Sequence, residues 1–190
     1  MIQIEHHPLR PFLPPNASIL FLGSFPPQKK RWCMDFFYPN FQNDMWRIWG
    51  INMFDDKDYF VLKEEKKFNY DKVVEFCTKY GLAFYDTASA VRRLQANASD
   101  KFLEVVEETD IGTLLMQIPC CKAIVTTGEK ATDVLAGKYN CSKPKVGTGE
   151  TIMIDGKTYD FYRMPSSSRA YPLALTKKAE MYSALKKYVV

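Results

Sequence analysis

Short apolar runs alternate along the chain with segments of helical spacing. Four runs, Ser18 to Leu22, Leu82 to Tyr85, Ala123 to Thr126 and Thr158 to Met164, are bounded by turn-forming residues, a pattern that predicts strands. The second follows a segment in which Val73, Val74, Cys77 and Tyr80 share one helical face, with Gly81 where a C-cap glycine belongs. Before the third stand two short helical patterns, around Phe102 to Val106 and Ile111 to Ile118. The fourth is expected to pair with Thr151 to Ile154 through Asp155-Gly156, a strong hairpin signal. A further helix is expected from Asp44 to Trp49, ending at Gly50. The closing helix is expected from about Thr176, a candidate N-cap. Ala179, Tyr182, Leu185 and Val189 form its buried stripe, with Lys177, Lys178, Lys186 and Lys187 outside.

Alternating strands and helices predict an α/β fold, a three-layer α/β/α arrangement around a central, mostly parallel sheet. In such sheets ligands bind beyond the carboxyl ends of the strands. Those ends carry Gly23 to Pro27, Asp86-Thr87, Thr127-Gly128 and Pro165-Ser166-Ser167-Ser168, small or turn-forming residues that on one rim would make a pocket. Beside the first end stands an aromatic knot, Phe36-Phe37-Tyr38-Pro39, with Asn43 at the head of an aromatic helix. Flat aromatic faces near such a turn suit a flat ligand such as a nucleobase.

With 190 residues and 46% hydrophobic content, the chain fits one domain, residues 1–190, with an adequate core. Its apolar runs are far shorter than a membrane span, and MIQIEHHPLRPFLPP lacks the apolar region of a secretory signal. A cytoplasmic monomer is expected, in which the sequons at Asn16 and Asn97 carry no meaning. Five cysteines without a C-x-x-C pair argue against a disulfide framework or an iron–sulfur cluster. His6 and His7 are adjacent and poorly placed to chelate one metal together; neither metal nor cofactor is expected. A net charge of +4 is compatible with a nucleic-acid partner without demanding one.

Taken together, these segments resemble the uracil-DNA glycosylase superfamily. Gly23-Ser24-Phe25-Pro26 is similar to its first motif, Phe36 to Trp46 to its aromatic, His-Pro, Asn, aromatic-Trp segment, and Met164 to Ser168 to its final Pro-Ser loop. The Gly-Ser-x-Pro form and the stretch GLAFYDTASAVRR resemble the hypoxanthine-DNA glycosylase branch most closely. The resemblance runs from Phe12 to about Tyr188. It implies a uracil-DNA glycosylase-like fold that binds damaged DNA, flips out a deaminated base, hypoxanthine or uracil, and hydrolyses its N-glycosidic bond. Flipping costs a few kcal/mol of stacking and pairing, which the pocket must offset. Two departures stand out. Phe25 occupies the place where much of the superfamily puts Asp or Asn before the proline. Tyr38-Pro39 replaces His-Pro, with two additional residues before Asn43. The resemblance therefore implies that Asn43 positions the water. No lysine stands in the four motifs, which argues for a monofunctional enzyme.

By the same resemblance Gly23, Ser24, Phe25, Phe36 and Asp86 are candidates to contact the base, and Pro26, Pro165, Ser166, Ser167, Ser168, Arg169 and Tyr171 to contact DNA. Asn43 also suits N-capping, Phe36 core packing, and Asp86 the orientation of a helix. In the Pro165 to Pro172 loop, Arg169 and Tyr171 both qualify as the wedge. Arg92-Arg93 fits a phosphate contact or an exposed turn equally. Two other functions remain open: a nucleic-acid-binding module without chemistry, and a hydrolase of free nucleosides or nucleotides.

Overall fold

Side-chain alternation along the central strands sorts the core into two layers. The computed structural model describes residues 3–94 and 102–189, so Asn97 lies outside the described residues. From β2 (Ile19–Gly23), Ile19 and Phe21 point to one face and Leu20 and Leu22 to the other. The same division holds in β5 (Leu82–Asp86), for Phe84 against Ala83, and in β8 (Ala123–Thr127), for Val125 against Ile124. On the first face lie α1 (Met45–Phe54), α2 (Tyr70–Lys79) and α5 (Leu175–Tyr182), contributing Trp46, Trp49, Phe76 and Tyr182. On the second lie α3 (Ile111–Gln117) and α4 (Glu129–Lys138), contributing Ile111, Leu114 and Leu135. The result is a three-layer α/β/α fold. Fully burying a side chain of this size is worth about 1.5–3 kcal/mol, so these two layers dominate its stability.

The five-stranded sheet runs β5-β2-β8 and continues through two further strands. Its first four strands are parallel, and β9 (Thr148–Ile154) returns antiparallel along β10 (Lys157–Met164) at the edge. Asp155 and Gly156, both at positive φ (49° and 78°), make the expected two-residue turn.

A second sheet was not foreseen. β1 (Ile4–His6), β6 (Ala88–Arg93) and β7 (Leu103–Glu108) form an antiparallel trio in the order β1-β6-β7. This corrects the helix expected around Phe102 to Val106. Leu103 and Val105 also satisfy a two-residue period, and pairing with β6 turns both onto Phe25, Ala88 and Val91. Arg93 is not in an exposed turn either: its side chain is 5% exposed and its Nε and Nη2 reach Glu5 at 3.2 and 3.1 Å. Arg92 lies on the same strand, beside Glu104. A short hairpin, β3 (Val61–Leu62) with β4 (Lys67–Phe68), lies between α1 and α2.

Two helix ends depart from expectation. α1 continues past Gly50 to Phe54, and Asp55 at φ 53° ends it. The glycine is needed for space: a Cβ at Gly50 would lie 2.4 Å from the Asp56 carbonyl oxygen, where the chain folds back. α5 starts at Leu175 after Ala174, so Thr176 sits within the first turn rather than capping it. A 3-10 turn, Ser183–Tyr188, extends the buried stripe through Leu185 and Tyr188, leaving Val189 half-buried. Lys178, expected outside, is fully buried. No helix among the described residues is long and apolar enough to cross a membrane.

Candidate functional site at the strand carboxyl ends

Parallel strands deliver their carboxyl ends to one rim, and there β2 ends at Gly23 beside Asp86 of β5. The carbonyl of Gly23 accepts from the Thr87 amide (2.8 Å) and the Thr87 hydroxyl (3.2 Å), fixing the turn that leads into Ser24 and Phe25. A Cβ on Gly23 would lie 2.4 Å from Asp86 Oδ1 and 3.6 Å from the Tyr38 hydroxyl, so glycine permits both groups to close on the strand end. Tyr38 Oη hydrogen-bonds Thr127 Oγ1 at 2.8 Å, bringing in the end of β8. Three strand ends and the aromatic segment therefore converge on Gly23. Among the described residues no acceptor is paired with the amides of Ser24 and Phe25.

His7, which follows β1, completes this rim. Its Nε2 lies 2.8 Å from Asp86 Oδ2, while Nδ1 faces the carbonyl (2.9 Å) and the amide (3.1 Å) of Leu9. The neutral ring with its proton on Nε2 donates to Asp86 and accepts from Leu9. The imidazolium donates from both nitrogens. The ring is 2% exposed, wedged edge-on against Phe25 at 5.3 Å and beside Tyr85 at 4.5 Å. Burial, then the charge of Asp86, pushes the Tyr85 phenol up.

The second part of the site is a clamp between the start of α1 and the loop after β10. Asn43 and Ser168 form an antiparallel bridge, Asp44 N donates to Ser167 O at 2.7 Å, and Arg169 N donates to Gln42 O at 3.2 Å. Asp44 is 5% exposed and binds two cations: Arg169 Nε to Oδ1 and Lys178 Nζ to Oδ2, both at 3.1 Å. Lys178 Nζ also donates to Ser168 O at 2.7 Å. Tyr182 Oη donates to Pro165 O at 2.9 Å from a fully buried ring, and burial pushes its phenol well up. Arg47, one turn into α1, donates from Nη1 to the carbonyls of Phe41 (3.0 Å) and Asn43 (3.2 Å). Burial, then the nearby Arg169 charge, lowers its pKa.

Of the predicted site residues, Gly23 and Asp86 meet directly at the rim, and Asn43, Ser167, Ser168 and Arg169 meet in the clamp. Ser166 lies between them, its Cβ 3.8 Å from where a Gly128 Cβ would stand. Pro165 is buried beneath the clamp, Tyr171 is half-buried at its edge, and Pro26 is buried with its carbonyl on Arg93 Nη2 at 3.1 Å. Phe25 turns into the small cluster of Ala88, Val91 and Leu103. Phe36 is 5% exposed among Phe12, Phe37, Trp46, Tyr70 and Phe84. A ring enclosed by five others is core, and stacking on a base is not available to it. Asn43 takes a capping contact, its Oδ1 accepting from the Met45 amide at 2.9 Å, with Asp44 at the formal cap position.

Sequence reasoning missed His7, Arg47 and Lys178. For Lys178 the signal existed: 175, 178, 179 and 182 fall on one helical face. For His7 there was none, because β1 is short and mostly polar.

No protein-family model matches the chain, and no curated protein matches it. Among solved structures, the solution NMR structure of a "putative Uracil DNA glycosylase" from Methanosarcina acetivorans is similar to it. The TM-score is 0.65 at 20% sequence identity, and the match covers 96% of each chain. The two share a fold. That likeness extends to the central, mostly parallel sheet whose carboxyl ends form the rim.

Proposed function

We propose that the protein is a monofunctional DNA N-glycosylase that removes a deaminated base, hypoxanthine or uracil, turned out of the helix. The observation that carries this reading is the clamp. In a fold shared with a protein described as a "putative Uracil DNA glycosylase", the Asn43 segment and the Pro-Ser loop are hydrogen-bonded to each other beside the strand ends. A damaged nucleotide held there would have its strand against Ser166, Ser168, Arg169 and Tyr171, and its base toward Gly23 and Asp86. Hypoxanthine and uracil each present a ring N–H, for which the Asp86 carboxylate is an acceptor oriented by His7. The amides of Ser24 and Phe25 would meet the anionic leaving base, stabilising charge as it forms. Asn43 Oδ1 keeps a lone pair beyond its bond to Met45, suited to orienting the attacking water. We read the enzyme as a single-domain cytoplasmic monomer needing neither metal nor cofactor.

The test is a panel of labelled oligonucleotides carrying uracil, hypoxanthine, xanthine or mismatched thymine, single- and double-stranded. An alkali-labile abasic site is expected with uracil or hypoxanthine, and no enzyme–DNA adduct on borohydride treatment. Asn43→Ala should lower the rate well over tenfold in a protein that still unfolds cooperatively. Retained activity in that variant removes Asn43 from the chemistry. A second reading, a DNA-binding module without chemistry, is favoured by Phe25, which offers the water no polar group. It predicts salt-dependent binding of lesion DNA with no abasic product.

A further inference from the structure

Behind the clamp, between α1, the β3–β4 hairpin and the start of α5, lies a cleft of about 600 Å³. Its lining holds five basic side chains, Arg47, Lys57, Lys63, Arg169 and Lys178, against two carboxylates, Asp44 and Asp58. Both carboxylates are already engaged. Asp44 holds Arg169 and Lys178, as described, and Asp58 Oδ2 lies 2.9 Å from Lys63 Nζ. The cleft is therefore left with a surplus of positive charge.

Arg47 is the group that makes this a built site. It is 6% exposed, yet among the described residues it has no carboxylate partner at salt-bridge distance. Its guanidinium lies over the rings of Phe41 at 4.6 Å and Phe68 at 5.0 Å, and two backbone carbonyls hold Nη1. Among the described residues no acceptor meets Nε or Nη2. A planar fork fixed by stacking, with donors on its unmatched edge, fits two oxygens of one phosphate. Asp44 and Asp58 act on Arg47 only from a distance and already hold other cations, so an anion in the cleft would relieve the cost of burying this one. The remaining wall is apolar, through Val61, Leu173 and Leu175, which suits a sugar attached to that phosphate.

We propose that this cleft binds a phosphate ester, and specifically a backbone phosphate of the DNA strand held by the clamp. The strand assignment rests on the proposed function; the phosphate chemistry does not. Lys178 and Arg169, which touch both the clamp and the cleft, would couple strand grip to the geometry around Asn43.

The test is fluorescence anisotropy of an undamaged labelled duplex titrated across a salt series. Each phosphate neutralised contributes about 0.9 to the slope of log affinity against log salt. Arg47→Met should reduce that slope by about 0.9 and weaken binding about tenfold. Arg47 also packs against two rings, so Lys57→Glu, at the exposed mouth, provides a second variant and should weaken binding too. Lys122→Glu, the same charge change at the opposite ends of the strands, should leave affinity and slope close to wild type. Equal effects from Lys57→Glu and Lys122→Glu, or an unchanged slope in Arg47→Met, would overturn the proposal. Thymidine 5′-monophosphate supplies the other arm. If it binds through Arg47 while duplex affinity ignores Arg47, the strand assignment is wrong. Undamaged duplex needs no excision, so a changed slope without any abasic product sinks only the glycosylase reading, and product with an unchanged slope sinks only the cleft.

Discussion

Replacing Lys178 by methionine removes the ammonium that joins Asp44 to the Ser168 carbonyl while keeping the length of the side chain. Lys178 is fully buried and Asp44 is 5% exposed, so water does not replace the lost donor easily. Removing one member of a buried ion pair costs roughly 3–5 kcal/mol. Here Arg169 stays on the other oxygen of Asp44 at 3.1 Å, but its side chain is 42% exposed and only part of the charge is compensated. The low end, about 3 kcal/mol, is therefore expected for Lys178→Met. With a urea dependence of about 2 kcal/mol per molar, the unfolding midpoint should fall by about 1.5 M. Adding Asp44→Asn removes the stranded charge, so the double variant should be no less stable than Lys178→Met alone. A midpoint within about 0.3 M of wild type for Lys178→Met, or single effects that simply add, would refute the argument.

Gly23→Ala should drive the Asp86 carboxylate off the strand end, since the new Cβ would stand 2.4 Å from Oδ1. A single-turnover excision rate at least about tenfold lower is expected, with a stability loss of about 1–3 kcal/mol; a rate within twofold of wild type would disconnect the rim from the chemistry. Iodoacetamide at pH 8, read by intact mass, should modify exposed Cys120 and spare buried Cys77 and Cys121. Burial pushes the Cys121 thiol up to about 12 from 9.0. The unfolded chain thus loses that proton first, and stability should decline as pH rises from about 9 toward 12; a flat thermal-melt profile over that range would contradict this burial.

The central sheet was legible because its strands carry a plain signal: continuous apolar runs ended by Gly23, Asp86, Thr127 and Pro165. The Asp155-Gly156 turn was legible for the same local reason. The Phe102 to Val106 segment was not, because its spacing satisfies both helical and two-residue periods and only β6 decides between them. Burial of Lys178 was readable from position but overridden by residue type, since a lysine is assigned to solvent unless its partner is known. That partner, Asp44, stands just before a different helix, α1. Phe36 failed in the opposite direction: its place in a motif suggested a ligand face, and five aromatic rings, most of them from distant segments, enclose it instead. Contacts between distant segments, as with His7 and Asp86, leave no mark in local pattern.

The ladder joining Gln42–Asp44 to Ser167–Arg169 links positions about 125 residues apart. Closing so long a loop costs entropy before any contact rewards it. Those hydrogen bonds are therefore expected to form late in folding, after β5 and β8 have been laid beside β2 and β10 beside β8. A chain without α5 would lose Lys178 and Tyr182, the side chains that hold the Ser168 and Pro165 carbonyls, and with Tyr182 part of the aromatic core. Under the proposed function, competence to engage DNA would then serve as a reporter that the carboxyl-terminal helix has docked.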